Sequence, residues 1–171
     1  AARYQGTLSL LIANPPFGER GEFALKDKHP AYQETKAYAY FMFRCTDLLV
    51  PRGVAIFLIP AGYLTGTQNR KLRERMLLRH HLEVAFRLPS ESTAGRELFP
   101  GAGNIVDVLV WRARGGELGA IDPGDEFILD GRYFEEFPDH VLGTVRVHGG
   151  DEQSPAKKTR RRGAVVGDFT G

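Results

Sequence analysis

The residues with the clearest chemical potential are Asn14, Pro15, Pro16 and Phe17, which directly follow the apolar run Leu8–Ala13. The two prolines have no N–H and fix their own φ angle, and each also pushes the residue before it into an extended conformation. The tetrapeptide is therefore rigid and presents a side-chain amide, backbone carbonyls without ladder partners and an aromatic ring. Oxygen acceptors beside a flat apolar ring suit a planar group that carries an amino donor. The alternative is a proline-rich turn with no chemistry.

The flanking pattern predicts a parallel β-α-β unit that positions this tetrapeptide. Leu8–Ala13 is a short apolar run, as expected of a strand that is buried on both faces. Apolar residues at helical spacing predict a helix over residues 35–49 with Thr35 as its N-cap, and residues 54–59 form a second apolar run. A strand, a helix and a strand in this order form a right-handed crossover.

The following residues predict three more elements and then a weaker signal. Residues 62–67 are interpreted as a loop, and residues 68–79 as a helix with Leu72, Met76 and Leu77 facing inward. Strands over 82–89 and 105–111, joined by a loop, could form an antiparallel pair. After Gly115 the pattern allows only a short strand at 127–129 and one or two helical turns over 132–137.

Bulk composition excludes several classes of protein. The chain has 171 residues, 42% apolar content and a net charge of +2, which indicates one domain or one domain with a tail. Its single cysteine, Cys45, excludes an internal disulfide and a cysteine-rich zinc site, and we interpret it as a buried structural thiol. The five histidines have no metal-ligand spacing. No signal peptide or membrane-spanning run is found, so we expect a cytoplasmic protein.

The Asn14–Phe17 motif resembles the catalytic motif of S-adenosylmethionine-dependent amino-methyltransferases, above all the N6-adenine DNA methyltransferases. Enzymes that methylate guanine N2 in RNA or a glutamine amide in release factors carry a similar motif, so these substrates remain alternatives. More local resemblances favour DNA adenine. Residues 87–90, Phe99 and residues 107–110 look like the Leu-Pro…Phe…Asp-Ile-Leu run of the gamma-type adenine methylases, which occur in type I restriction–modification subunits and in phage or plasmid helicase–methylase proteins.

The order of elements implies a fold class and a role for each motif residue. The expected fold is α/β, a partial class I methyltransferase (Rossmann-like) sheet with strands four to seven and an antiparallel end. By resemblance, the Asn14 side-chain oxygen and the Pro15 carbonyl accept hydrogen bonds from the target amino group, while Pro16 keeps the motif rigid. Phe17 would stack on the base and Phe99 on its opposite face, unless Phe99 only caps the core. Asn14 would also contact the cofactor, S-adenosyl-L-methionine.

Two features of this family are absent from the sequence. The glycine-rich motif that holds the methionine part of the cofactor is missing, and the residues around Gly101 and Gly103 do not replace it because they follow no strand and open no helix. The acidic residue for the cofactor ribose has no counterpart either. The resemblance therefore implies a fragment of a longer protein, a chain whose missing N-terminal half comes from a partner, or a non-catalytic nucleic-acid-binding remnant.

Basic residues suggest where DNA could bind. The predicted helix at 68–79 has a basic face that includes Arg70, Lys71 and Arg73, and a second basic cluster spans 157–162. Both could contact phosphates, although a solvated face and a flexible tail explain them equally well. DNA is the expected partner, together with the missing half or a specificity or helicase subunit, and we expect no membrane. The predicted division is a catalytic half at 1–114, an extension at 115–148 and a basic, flexible tail at 149–171.

Overall fold

The computed structural model describes residues 6–19, 21, 27, 29–92, 105–115, 118–147 and 163–167. Its main sheet has four strands in the order β1-β2-β5-β3, and a smaller sheet has the order β4-β7-β6. The strands are β1 (Leu8–Ala13), β2 (Leu49–Pro60), β3 (His80–Arg87), β4 (Glu91–Ser92), β5 (Val106–Ala113), β6 (Thr144–Val147) and β7 (Gly163–Gly167). The helices are α1 (Ala37–Thr46), α2 (Gly62–Thr65), α3 (Arg70–Leu77), α4 (Glu126–Leu129) and α5 (Tyr133–Glu136), with 3₁₀ turns at Pro30–Tyr32, Thr67–Asn69, Pro123–Asp125 and Pro138–His140.

The predicted crossover and the predicted antiparallel end are both confirmed. β1 pairs with β2 in parallel, with Ala13 opposite Phe57. β5 runs antiparallel to β2 and to β3 and lies between them. β3 therefore runs parallel to β1 and β2, so that the carboxyl ends of these three strands lie at one end of the sheet.

The core lies on one face of this sheet. Alternate residues of β2, namely Ala55, Phe57 and Ile59, are completely buried and join one apolar cluster with Leu109 and Trp111 of β5. All five helices contribute buried residues to the same cluster: Tyr38, Met42, Tyr63, Leu64, Met76, Leu77, Ile128 and Tyr133. The described helices thus cover one face of the sheet. It is the face to which every second side chain of β2 and β5 points.

The opposite face is also apolar but is not covered by the described helices. Register places Leu10 beside Val54 and Ile12 beside Ile56, and Ile56 in turn lies opposite Val110. Leu10 is 54% exposed and Ile12 is 67% exposed, whereas the β2 and β5 residues are partly buried by their neighbours. We call this surface, with Leu58 and Val108, the open face.

Several local predictions were wrong for identifiable reasons. Residues 127–129 form helix α4 rather than a strand, and residues 62–65 form helix α2 rather than a loop. Helix α1 begins at Ala37 with Lys36 at its N-cap, because the Lys36 backbone is bridged to Glu19 and Thr35 makes no cap. In the predicted flexible tail, residues 163–167 form a strand that pairs with β6 and β4 through backbone hydrogen bonds; the rest of the tail lies outside the described residues.

The last helices close the outer edge of β3. The backbone N–H of Ala85 donates a hydrogen bond of 2.8 Å to the Tyr133 hydroxyl, and the N–H of Leu142 donates one of 2.9 Å to the Arg87 carbonyl. Val141 forms a parallel bridge with Arg87. In the part of the chain that the structure describes, no helix is long and apolar enough to cross a membrane.

Candidate active site

The Asn14–Phe17 motif lies at the carboxyl end of β1, where ligands bind in open α/β sheets. Asn14 and Pro16 are exposed, Pro15 is buried and Phe17 is partly buried. Within the described part of the chain, neither the Asn14 side chain nor the Pro15 carbonyl has a hydrogen-bond partner. The motif therefore presents free oxygen acceptors next to an accessible aromatic ring.

Both ends of the motif are fixed to the fold. On the N-terminal side, Ala13 is the last β1 residue in register with β2. On the C-terminal side, the Ala37 N–H donates a 3.0 Å hydrogen bond to the Gly18 carbonyl, and Glu19 forms an ion pair with Lys36. The motif is thus held between a strand and the first turn of α1, while its own proline residues supply the local stiffness.

At the same end of the sheet as the motif, a buried ion pair links the carboxyl ends of β2 and β3. Arg87 donates hydrogen bonds of 2.9 and 3.0 Å to the two carboxylate oxygens of Asp107 and one of 3.1 Å to the Ala61 carbonyl. Its guanidinium also lies 4.3 Å from the centre of the Phe134 ring. This fork links the turn after β2 to the end of β3 and the start of β5, because one planar cation contacts all three.

Asp107 is completely buried, and its pKa is raised by burial, with the hydrogen bond and charge of Arg87 acting in the opposite direction. Both carboxylate oxygens already bind Arg87, so the residue is a structural partner of that cation and is not available as a general base. The Asp of the predicted Asp-Val-Leu-Val run therefore holds the strand ends together. The sequence showed this run but not its ion pair, since Arg87 is 20 residues away.

Arg73 was predicted to contact nucleic acid, and this prediction is wrong. The side chain is completely buried, and its guanidinium donates to three carbonyls: Tyr63 at 2.6 Å, Gly66 at 2.8 Å and Leu129 at 2.7 Å. Burial lowers its pKa. Because the guanidinium is completely buried and donates four of its five N–H groups to carbonyls, it cannot reach a phosphate outside the protein, and Arg73 joins α3 to α2 and α4 instead.

The rest of the basic face is largely occupied by internal ion pairs. Arg70 pairs with Asp130, Arg75 with Glu34, and Arg79 with Asp47. Lys71 is exposed and makes no ion pair within the described residues. Only Arg70 and Lys71 of the three predicted DNA-contact residues therefore remain accessible, and Arg70 would have to exchange Asp130 for a phosphate.

Two further predictions can be placed only in part. Phe99 and the residues around Gly101 lie outside the described residues, as does the basic cluster at 157–162, so the second base-stacking side chain stays a prediction. In the sequence, Phe99 lies between β4 and β5, and β5 starts at the end of the sheet that carries the motif. Cys45 is partly buried, and burial raises its thiol pKa, which agrees with a structural role.

A comparison with protein families matches residues 5–93 to the Eco57I restriction-modification methylase family. This stretch is more than half of the chain and contains the motif. The chain belongs to this family. Methyl transfer is thus the chemistry of the family to which the Asn14–Phe17 motif belongs.

Three individual proteins show how much of a relative this chain covers. The "Defense against restriction protein B" of Escherichia phage P1 is 30% identical over 108 residues, which are 63% of this chain but 5% of that protein. The EcoKI M protein, a type I restriction enzyme, is 20% identical with a TM-score of 0.49 and covers 66% of this chain and 22% of its own. A protein from Listeria monocytogenes assigned as a class I S-adenosylmethionine-dependent methyltransferase is 18% identical with a TM-score of 0.50, covering 68% of this chain and 33% of its own.

The Listeria structure supports the fold prediction, so the main sheet is part of a class I methyltransferase sheet. At this level of identity the likeness concerns the fold and not the substrate. In each of these relatives the matched stretch is a third or less of the whole protein.

Proposed function

We propose that this chain forms the acceptor-binding half of an S-adenosylmethionine-dependent DNA methyltransferase that modifies the N6 amino group of adenine. The observation that carries the proposal is the geometry of the motif: the Asn14 amide and the Pro15 carbonyl have no hydrogen-bond partner among the described residues, and they lie at the carboxyl end of β1, shortly before Phe17. Family membership supplies the class of chemistry, and the Leu-Pro…Phe…Asp run around Arg87 and Asp107 favours adenine over the RNA and glutamine alternatives.

The chemistry that these residues supply is electrostatic. As the amino nitrogen of the base attacks a methyl group, it becomes more positive, and fixed oxygens at hydrogen-bond distance stabilise that charge. The side-chain oxygen of Asn14 and the carbonyl of Pro15 serve this purpose, and Phe17 stacks on the base. Because adenine in a duplex is paired and stacked, it must first rotate out of the helix, at a cost of a few kcal/mol. Stacking and the two hydrogen bonds offset this cost.

The expected cofactor, S-adenosylmethionine, fits the described residues only at its reacting end. When bound, it supplies the methyl group that is transferred. By resemblance, Asn14 would contact the cofactor near the methyl group, but the described residues include no glycine-rich turn after a strand to hold the rest of the cofactor. This chain's own contribution is therefore to bind and orient the amino group, and the bulk of the cofactor needs residues from elsewhere.

The open face supports the idea that another part of the enzyme completes this sheet. Parallel sheets are normally covered on both faces, and an apolar edge strand left unpaired promotes aggregation. In this sheet, β1 has both an exposed apolar face and an unpaired edge, and β1 is the strand that leads to the motif. Leu10 and Ile12 are solvent-exposed, and β1 has no second neighbour among the described strands. A cofactor-binding half that adds strands beside β1 would cover both and place the cofactor next to Asn14.

A non-catalytic DNA-binding remnant is the second candidate, and the missing cofactor residues favour it. Titration of S-adenosylmethionine into the 171-residue chain and into the longer gene product separates the two. The proposal expects binding by the longer product and none, or much weaker binding, by the chain alone. Binding by neither would overturn the enzyme proposal and leave the remnant.

In the active form, Asn14→Ala is expected to abolish methyl transfer to an adenine-containing duplex, because the main acceptor of the amino group is lost. Ser9→Ala is the matched control, since Ser9 is an exposed polar residue of the same strand, away from the motif. Transfer is measured with labelled cofactor, and unfolding curves check stability. Retained activity in Asn14→Ala would remove Asn14 from the mechanism, and loss of activity in both variants would point to damage to β1.

A further inference from the structure

The carboxyl end of β3 carries a side chain that is fixed from several directions. The Arg87 guanidinium binds both carboxylate oxygens of Asp107 and the carbonyl of Ala61. Its planar group lies 4.3 Å from the centre of the Phe134 ring. The Arg87 backbone is fixed as well, because its carbonyl accepts a 2.9 Å hydrogen bond from the Leu142 N–H. We call the contacts of Arg87 with Asp107 and Ala61 the strand-end clamp.

A contribution to stability does not by itself explain this buried ion pair. Asp107 is completely buried and the Arg87 side chain is 13% exposed, so both charges have lost most of their hydration. Replacing such a pair with apolar side chains of similar volume is often neutral or stabilising, because desolvation offsets the attraction. β3 and β5 are also joined by their own backbone ladder, in which Arg87 lies opposite Asp107. What the fork adds is a fixed geometry, since two parallel hydrogen bonds set both distance and orientation.

The register of the strands places the ion pair level with the motif. Ala13 lies opposite Phe57, and the prolines that follow favour an extended chain, so Pro15 comes level with Ile59. Ile59 in turn lies opposite Asp107 of β5. With a spacing of about 4.8 Å between strands, the backbones of Pro15 and Asp107 are on the order of 10 Å apart. The strand-end clamp therefore fixes the row of the sheet in which the motif begins.

A second connection between the clamp and the motif runs through the helices. The guanidinium binds the carbonyl of Ala61, the residue directly before α2. In α2, the Tyr63 ring packs edge-on against the Tyr38 ring of α1, with the ring centres 6.5 Å apart. At the start of α1, the Ala37 N–H holds the Gly18 carbonyl, which directly follows the motif. The clamp is thus linked through the sheet to one end of the motif and through two helices to the other.

We propose that the strand-end clamp is a positioning device for methyl transfer, which holds the acceptor oxygens of Asn14 and Pro15 in their reactive geometry. This inference rests on the proposed function and adds two positioning residues to it, Arg87 and Asp107, which act through the motif. Groups that act in a transition state have to be held to within about 0.5 Å. Misplacement by about 1 Å can lower a rate by about a hundredfold. Loss of the clamp therefore lowers turnover more than it lowers binding of DNA or cofactor.

The same strands carry a second ion pair that serves as a matched control. Arg112 of β5 donates a 2.7 Å hydrogen bond to Glu83 of β3 and a longer one of 3.4 Å to the Arg52 carbonyl of β2. Both side chains of this pair are more than a third exposed. Arg112 lies opposite Val54, near the start of β2 and therefore at the other end of the sheet from the motif. The control pair thus links the same three strands as the clamp, away from the motif.

The main test compares two apolar double variants of the longer gene product. Arg87→Met with Asp107→Leu removes the clamp without leaving a buried charge, and Arg112→Met with Glu83→Leu removes the control pair. The first is expected to lower kcat for methyl transfer to an adenine-containing duplex by about tenfold to a hundredfold, with cofactor affinity and urea midpoint nearly unchanged. The second should leave kcat within about twofold. An unchanged kcat without the clamp, or an equal loss in both variants, would overturn the inference.

Arg87→Lys is the conservative variant and serves if the apolar pair does not fold. Lysine keeps the charge, but its single nitrogen cannot reproduce the fork together with the bond to Ala61. We expect a lower kcat with little change in the urea midpoint. A kcat equal to that of the unaltered enzyme would contradict a role of the fork.

A measurement that needs no activity separates this inference from the proposed function. In the 171-residue chain labelled with ¹⁵N, Arg87→Lys should shift the backbone amide signals of Asn14 and Phe17, whereas Arg112→Lys should not. Motif signals that ignore Arg87→Lys would overturn the positioning role even in an active enzyme. A longer product that does not methylate adenine would overturn the proposed function, and the amide signals would still decide whether the clamp positions the motif.

Discussion

The two outer edges of the main sheet differ in how far other described residues cover them. At the β3 edge, residues 133–142 supply a hydroxyl acceptor for Ala85, a donor for the Arg87 carbonyl and a short bridge. At the β1 edge, the described residues supply nothing comparable, and Leu10 and Ile12 stay exposed. Among the described residues, the edge that is remote from the motif is thus covered and the edge that carries the motif is not.

Under the proposed function, this difference identifies β1 as the edge that the rest of the enzyme covers. Edge strands are normally blunted by charge, proline, bulges or a covering segment, because unpaired backbone groups recruit other chains. β1 instead presents large aliphatic side chains beside the Asn14–Phe17 motif. The segment that covers the β3 edge is part of this chain. A segment that covers β1 belongs to the proposal that another part of the enzyme completes this sheet. The predictions below test this contrast.

The largest expected effect is on stability and concerns Arg73, in the helices that cover one face of the sheet. Arg73→Met removes the guanidinium that joins Tyr63, Gly66 and Leu129, and with it the link between α3 and α4. Three buried carbonyls lose their charged donor, so we expect a loss of about 3 kcal/mol or more in the free energy of unfolding, measured with urea. Lys71→Met on the exposed side of the same helix is the control and should change stability by less than about 0.5 kcal/mol. Equal effects would mean that burial of Arg73 contributes little.

The second largest effect is a loss of stability at low pH, and it concerns His80, the first residue of β3. Because the pKa of His80 in the folded protein is about 4, below the usual value of about 6.5, the unfolded chain takes up a proton first as the pH falls. The contribution of His80 to the free energy of unfolding is fully present above a pH of about 6.5. It declines as the pH falls to about 4, by about 3 kcal/mol in total. Urea unfolding at several pH values should therefore show a weaker acid dependence for His80→Leu than for the unaltered chain.

A smaller effect is expected at the hydroxyl that closes the β3 edge. Tyr133→Phe removes the acceptor of the Ala85 N–H and the group that lies 3.0 Å from His140 Nδ1. One buried donor is left unpaired, which costs about 1–2 kcal/mol and speeds hydrogen exchange of the Ala85 amide. Hydrogen exchange measured residue by residue checks this. Unchanged exchange at Ala85 would show that the closed edge does not depend on Tyr133.

The smallest effect on stability is expected at the open edge. Ile12 is 67% exposed, so Ile12→Lys should change the free energy of unfolding of this chain by less than about 0.5 kcal/mol. The same change should suppress self-association of the isolated chain in sedimentation experiments and should impair activity of the longer product, because a charge would be buried at the interface. A large loss of stability in the isolated chain would contradict the open edge.

The sequence predicted the elements that have strong local signals. The apolar runs at 8–13 and 54–59, the proline-rich motif and the two apolar strands of the antiparallel end all appear as expected. The missing cofactor motif also led us to expect an exposed edge at β1, and β1 has one neighbour among the described strands. These features depend on periodicity and on proline chemistry, which are local properties.

The wrong predictions came from contacts between distant residues. Arg73 was assigned to an exposed basic face, although its position relative to Met76 and Leu77 places it on the buried side of α3. That spacing was the available signal, but the partner carbonyl of Leu129 is 56 residues away. Helix α4 begins at Glu126, shortly after Pro123 and Asp125. Proline and acidic residues in this order are a typical helix start, and they outweighed the strand-like apolar triplet 127–129.

The order of the strands also constrains how the protein is made. β3 precedes β5 in the chain but pairs only with β5 among the described strands of the main sheet, and β2 lies on the other side of β5. β3 therefore has no strand to pair with in this sheet until residues 106–113 have left the ribosome, whereas β1, α1 and β2 can assemble earlier because their contacts are closer in sequence. The described main sheet is therefore complete only once β5 lies between β2 and β3.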